Sequence, residues 1–195
     1  ENPSYVANGG DRCYFCKDEL YTQLERVRAD RGFAAIVDGL NLDDTGDYRP
    51  GVRAAGEHQV RHPLQESEMT KADIRELSLR HNLPTWDKPA TPCLSSRIPH
   101  GTPVQIEALT RINDAEQYLR SLGIRQVRVR HHDKIARIEV GLDDLPLLVS
   151  PEHRAEVVER LRAFGYTYVT LDLAGYRTGS LNESLKLKTQ LPVLR

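Results

Sequence analysis

Five prolines, Pro84, Pro89, Pro92, Pro99 and Pro103, fall within residues 84–103. Each fixes φ near −65° and removes a backbone donor, so neither a helix interior nor a central strand can run through this stretch. The chain must change character there, and its 195 residues suffice for one large domain or two small ones. The same stretch carries Trp86 and the run Cys93-Leu94-Ser95-Ser96-Arg97. A plain spacer has no use for these residues, which marks the segment as a place for a site.

Upstream of the prolines the pattern predicts an α/β domain. Residues 1–11, with Pro3, Asn8, Gly9 and Gly10, read as a loop. Asp11 can cap a helix that carries Leu20, Leu24 and Val27 on one face and stops at Gly32. Cys13 and Cys16 then fall in its first turns. Phe33-Ala34-Ala35-Ile36-Val37 is a continuous apolar run, which suits a strand buried on both faces of a parallel sheet. At its C-terminal end, where such sheets place their ligands, stands Asp38-Gly39-Leu40-Asn41-Leu42-Asp43-Asp44. Its carboxylates and Asn suit Mg²⁺ and nucleotide contacts; the same residues also close an ordinary turn through their own hydrogen bonds. Thr70 caps a further helix, with Ile74 and Leu77, that ends before Pro84.

Downstream the order is α-β-β-α-β, predicting a small α+β domain with helices on one face of an antiparallel sheet. The first helix carries Ile106, Leu109, Ile112, Leu119 and Leu122 up to Gly123. Strands follow at 127–130 and 135–140 around a turn at 131–134, then a helix started by Ser150-Pro151, then a strand at 168–173. Alternation puts Val127, Val129, Ala136, Ile138 and Val140 on one face. The opposite face collects Arg128, Arg130, Arg137, Glu139 and Asp172. A solvated outer face accounts for that set, and adjacent arginines also suit bidentate binding of phosphate or carboxylate. The expected domains are residues 1–98 and 99–184, with a loosely attached tail at 185–195.

Charge and cysteine usage narrow the function. The net charge is −1, which argues against indiscriminate binding to nucleic acid or acidic membrane. No apolar run approaches the roughly 18 residues of a transmembrane helix, and Glu1-Asn2-Pro3-Ser4 does not open a signal peptide. Three cysteines without a secretory signal suggest reduced thiols in the cytoplasm rather than a disulfide framework. Cys13 and Cys16 put two thiolates within reach of one metal or cluster, and Cys93 would make a three-point set with a vertex left open to a substrate atom or a sulfide. A redox pair, or three ordinary small residues, are the alternatives. No P-loop, H-E-x-x-H or G-x-S-x-G motif occurs.

Taken in order, Arg12-Cys13-Tyr14-Phe15-Cys16-Lys17, the Asp38–Asp44 run with Asp47-Tyr48-Arg49-Pro50-Gly51, Pro92-Cys93-Leu94-Ser95-Ser96-Arg97, Val127-Arg128-Val129-Arg130 and Asp172-Leu173-Ala174-Gly175-Tyr176-Arg177-Thr178-Gly179 resemble the LarE family. These are ATP-dependent sulfur transferases of nickel-pincer nucleotide biosynthesis, and the likeness runs from about residue 8 to 184. It implies a PP-loop (adenine nucleotide α-hydrolase) domain followed by a small catalytic domain. The implied reaction adenylates a carboxylate of pyridinium-3,5-biscarboxylic acid mononucleotide with ATP and Mg²⁺, then lets sulfur displace AMP. It implies a [4Fe-4S] cluster on Cys13, Cys16 and Cys93, as in the three-cysteine members. It places Lys17, Arg49, Ser96, Arg97, Arg128, Arg130 and Arg177 at nucleotide or substrate contacts, Asn41 and Asp43 in the nucleotide-side loop, and Cys93, Arg97 and Glu139 among the catalytic residues. A sulfur donor and a homo-oligomer, a hexamer in the family, would be partners; membrane and nucleic acid would not. The Ser-Gly-Gly-x-Asp-Ser PP-loop is absent, and Asn8-Gly9-Gly10-Asp11 does not replace it. Together with the missing Met, this leads to the expectation that an upstream segment is lacking and that this polypeptide alone does not adenylate. A PP-loop enzyme that thiolates tRNA and a non-catalytic metal-binding or partner-binding remnant are the competing readings.

Overall fold

The computed structural model describes residues 2–46, 49–89 and 91–177. The chain is mixed α/β and separates into two compact units, Glu1–Ala90 and Thr91–Arg195. The divide lies inside the proline-rich stretch, so Cys93–Arg97 belongs to the second unit. The expected tail at 185–195, and the residues Asp47, Tyr48, Thr178 and Gly179, lie outside the described residues.

The first unit is helical: α1 (Pro3–Val6), α2 (Arg12–Arg31), α3 (Pro50–Glu57), α4 (Pro63–Glu66) and α5 (Lys71–Arg80). The opening stretch is not all loop. Asn2 accepts the Ser4 N–H at 3.0 Å and Pro3 takes the first helical position, where its missing N–H costs nothing. Helix α2 ends as expected, with Gly32 at φ +66° returning its N–H to the last turn. The face it buries differs from the expected one. Tyr21 is enclosed and Leu24 packs beside it, against Ala54 and Ala55 of α3 and Val60, while Leu20 and Val27 stay exposed. Thr70 and Asp73 form a reciprocal capping box at α5.

The buried strand expected at Phe33–Val37 is not formed among the described residues. Val37 makes one isolated parallel bridge to Arg61, framed by Arg61 N–H to Ile36 C=O at 3.0 Å and Asp38 N–H to Arg61 C=O at 3.1 Å. A single bridge offers no neighbouring strand to cover either face. Phe33 and Val37 are accordingly 58% and 59% exposed, and only Ile36 reaches the core.

In the second unit a short 3₁₀ turn, Leu94–Arg97, precedes α6 (Ile106–Ser121), β1 (Val127–His132), β2 (Ile135–Val140), α7 (Leu145–Val149), α8 (Pro151–Ala163) and β3 (Tyr168–Leu171). The hairpin is tighter than expected. His131 and His132 extend β1 to pair with Ala136 and Ile135, leaving Asp133-Lys134 as the loop, with Asp133 at φ +53°. The sheet, ordered β1-β2-β3, is mixed rather than antiparallel, because β2 and β3 run parallel. The reason is the connection: α7 and α8 carry the chain back along the sheet before β3 begins, and such a crossover returns a strand in the same direction. The apolar face forms the core with Ala115 and Leu119 of α6 and Val157 and Leu161 of α8. Ser150 caps α8 and Pro151 follows at its first position, as expected.

Candidate functional site

The polar face of the second unit's sheet is a buried charge cluster. Arg130 is 1% exposed, Glu139 0% and Arg128 7%, so the solvated-face reading does not hold. The cover comes from the turn that carries Cys93, whose Ser96 carbonyl accepts Arg130 Nη1–H at 2.8 Å. The other edge of Arg130 grips Glu139 with two bonds, Nε–H at 3.0 Å and Nη2–H at 2.9 Å. Arg137 reaches Glu139 at 3.2 Å and also pairs with Asp172, and Arg177 approaches Asp172 at 3.6 Å. Among the described residues, Arg130, Arg137 and Arg177 thus pair with Glu139 and Asp172 on the face that Arg128 shares.

Arg128 stands outside these pairs. It forms no ion pair among the described residues; its Nη2–H donates to the Tyr176 hydroxyl at 2.6 Å, and the guanidinium lies 4.5 Å from the centre of the same ring. Burial lowers its pKa from the ordinary arginine value, and the Tyr176 oxygen opposes that while Arg130 and Arg97 add to it. Arginine stays charged regardless. A desolvated guanidinium without a carboxylate is a ready partner for a phosphate or carboxylate from outside the chain.

Arg97 is placed differently from a ligand-facing arginine. It is 1% exposed, and its donors go to Glu116 and to the Cys93 turn. Ser96 Oγ–H donates to the Cys93 carbonyl at 2.8 Å, and Cys93 itself is exposed at the start of the turn. Glu116, absent from the sequence-predicted set, is fully buried beside Arg97. Its signal was in the sequence: a carboxylate at the spacing of Ile112 and Leu119, in the apolar stripe of a helix.

In the first unit, Cys13 and Cys16 stand one turn apart in α2, both exposed, with no disulfide. Residues three apart share a helix face, so the pair fits the donor edge of a soft metal or cluster. Lys17 follows, its ammonium 5.4 Å from the Tyr21 ring centre. Gly51 brings α3 against this turn. A Cβ there would meet Lys17 Cγ at 3.0 Å and the Cys13 carbonyl at 3.5 Å. The acidic loop closes on itself: Asn41 accepts Asp43 N–H at 3.1 Å and donates to Asp44 at 2.9 Å, while Asp43 accepts Lys71 N–H at 2.8 Å. Arg49 pairs with Asp44 at 2.7 Å. Asp38 gathers Tyr21 Oη–H at 3.0 Å, Leu40 N–H at 3.1 Å and His62 Nδ1–H at 2.6 Å. Against the penalty of burial, these bonds hold the Asp38 carboxyl below its usual pKa.

The structure thus brings Ser96, Arg97, Arg128, Arg130, Glu139 and Arg177 into one unit with Cys93. It describes Lys17, Asn41, Asp43, Arg49, Cys13 and Cys16 within the other. Within either unit, no three His, Cys, Asp or Glu side chains among the described residues are grouped to hold a metal ion. No helix among the described residues is long and apolar enough to cross a membrane.

No family model matches the chain. It is 47% identical over 184 residues to an uncharacterized protein of Synechocystis sp., covering 94% of this chain and 69% of that protein. It is 30% identical over 175 residues to an uncharacterized protein of Methanocaldococcus jannaschii, covering 89% and 67%. A third relative is the pyridinium-3,5-bisthiocarboxylic acid mononucleotide synthase of Lactiplantibacillus plantarum, 40% identical over 184 residues, covering 94% of this chain and 66% of the synthase. The chain spans about two thirds of the length of each. Identity at this level, sustained over nearly the whole chain and joined to the Cys93 turn and the arginine face beneath it, places the protein in the LarE family.

Proposed function

We propose that this chain is part of an ATP-dependent sulfurtransferase acting on a pyridinium carboxylic acid mononucleotide. The observation that carries this reading is the junction of two features in one unit. The turn bearing Cys93 sits on the arginine face, and Arg128 offers a buried guanidinium that meets the Tyr176 hydroxyl and, among the described residues, no carboxylate. A mononucleotide brings the phosphate that such a face lacks, and it brings carboxylates as the reacting groups.

ATP would adenylate a carboxylate with loss of pyrophosphate, turning a poor leaving group into AMP. Sulfur then attacks the acyl carbon, the C–O bond to AMP breaks and a thiocarboxylate remains; a second round converts the second carboxylate. Arg128 and Arg177 hold the substrate phosphate, while Arg130 braces the face through Glu139 and the Ser96 carbonyl. Glu139 keeps Arg130 oriented rather than acting on the substrate. Lys17, Asn41, Asp43 and Arg49 serve ATP and its Mg²⁺. Cys13, Cys16 and Cys93 would hold a [4Fe-4S] cluster, and the chemistry such a cluster would supply is the sulfur for transfer.

Anaerobic reconstitution with iron and sulfide, followed by iron analysis and EPR, tests the reading. We expect about four irons per chain and their loss in Cys93→Ala. Full iron binding by Cys93→Ala would overturn the three-cysteine site.

A further inference from the structure

We infer that Glu116 is a positioning residue for the Cys93 turn, acting through Arg97. The inference rests on the proposed role of Cys93 in the sulfur-transfer site, but its geometry does not.

Arg97 has five N–H donors in one rigid plane. One edge is committed to Glu116, with Nε–H to Oε1 at 2.7 Å and Nη2–H to Oε2 at 3.1 Å. A planar fork fixed along one edge has no freedom left in the other. Nη1 therefore points at the turn, where it meets the Pro92 carbonyl at 2.8 Å, the Cys93 carbonyl at 3.2 Å and Ser96 Oγ at 3.0 Å. Arg97 thus ties both backbone and side chain of the turn from within. Glu116 is itself held from two elements. Arg120, one helical turn on, donates to Oε2 at 2.7 Å, and the Val129 N–H of β1 donates to Oε1 at 3.1 Å. The carboxylate thereby registers the Cys93 turn against both α6 and β1, the strand that bears Arg128 and Arg130. A carboxylate serving only to neutralise Arg97 would not need the bond to β1.

Two substitutions separate positioning from plain structural support. Glu116→Gln keeps the shape and an acceptor for Val129 N–H, but removes the charge and one acceptor of the fork. Arg97→Lys keeps a cation against Glu116 and loses the reach to the turn. The first readout is amide hydrogen exchange of residues 93–98 in the metal-free chain, with β1 and β2 as internal reference. The second is the rate at which a chelator strips iron from the reconstituted chain. We expect exchange in 93–98 to quicken roughly tenfold in both variants with the hairpin unchanged, and iron loss to quicken alongside it. Unchanged exchange in the turn would overturn the clamp. Faster exchange throughout β1 and β2 would make Glu116 a support of the fold instead, and unchanged iron loss from a loosened turn would remove its bearing on the site. Should the unsubstituted chain bind no iron while exchange behaves as expected, the clamp stands and the cluster reading falls.

Discussion

Arg128 shows what one residue's sequence context can and cannot say. Strand alternation placed it on the polar face beside Arg130, and the structure keeps it there. Alternation could not tell that the face is covered, because the cover arrives from Ser96, 34 positions before Arg130 in the chain. Burial without a counter-charge costs stability, so the residue is held against the interest of the fold. Arg128→Met should leave the thermal midpoint unchanged or raised in calorimetry. It should also weaken binding of inorganic phosphate at least about tenfold by titration calorimetry, since a charge-assisted contact to a desolvated guanidinium is lost. A variant that loses stability and keeps phosphate affinity would assign Arg128 to the fold alone.

Among the elements, helix α3 is tied to α2 through a histidine. His58, at its C-terminal end, lies between two carboxylates of α2: Nε2 is 3.0 Å from Asp18 and Nδ1 is 2.9 Å from Glu25. Carboxylates only accept, so both ring nitrogens donate only when the imidazole is charged. The hydrogen bonds to Asp18 and then Glu25 raise its pKa above the ordinary value, with partial burial opposing. A raised basic pKa stabilises the fold fully below the unfolded value, about 6.5, and the contribution fades as pH rises through the higher folded value. Exchange protection of α3 should therefore fall from pH 6 to 8.5, and His58→Gln should flatten that dependence. Elements also mark where sequence reading stops. The caps at Gly32, Thr70 and Ser150 are local and were legible. The parallel β2–β3 pairing and the exposure of Phe33–Val37 depend on what lies alongside, which periodicity does not encode. Gly175 makes the same point: at φ +67°, a Cβ would lie 2.9 Å from Leu142 Cδ2 and 3.0 Å from the Val140 carbonyl. Gly175→Ala should cost about 1–3 kcal/mol in chemical denaturation. It should also displace Tyr176, whose N–H donates to Val140 C=O at 2.7 Å, and so disturb the partner of Arg128.

Across the molecule, the histidines of the two units should make them answer pH in opposite senses. His131 in the second unit is buried, with Nδ1 3.3 Å from the Tyr166 hydroxyl. Burial, reinforced by Arg111, lowers its pKa. A depressed basic pKa means the native state resists a proton that the unfolded chain accepts near pH 6.5. The second unit should lose stability as pH falls below that value, while the first gains the His58 contribution there. Exchange followed unit by unit between pH 5.5 and 8.5 should show slopes of opposite sign; parallel slopes would refute the assignment to these two histidines. Against this background the Ser96 carbonyl has a wider meaning. Arg130 is tied to the Cys93 turn through an oxygen that every amino acid possesses. That link is written in the path of the chain rather than in its letters. Mutational drift at position 96 can therefore rewrite the side-chain contacts of the turn without cutting its tie to the arginine face.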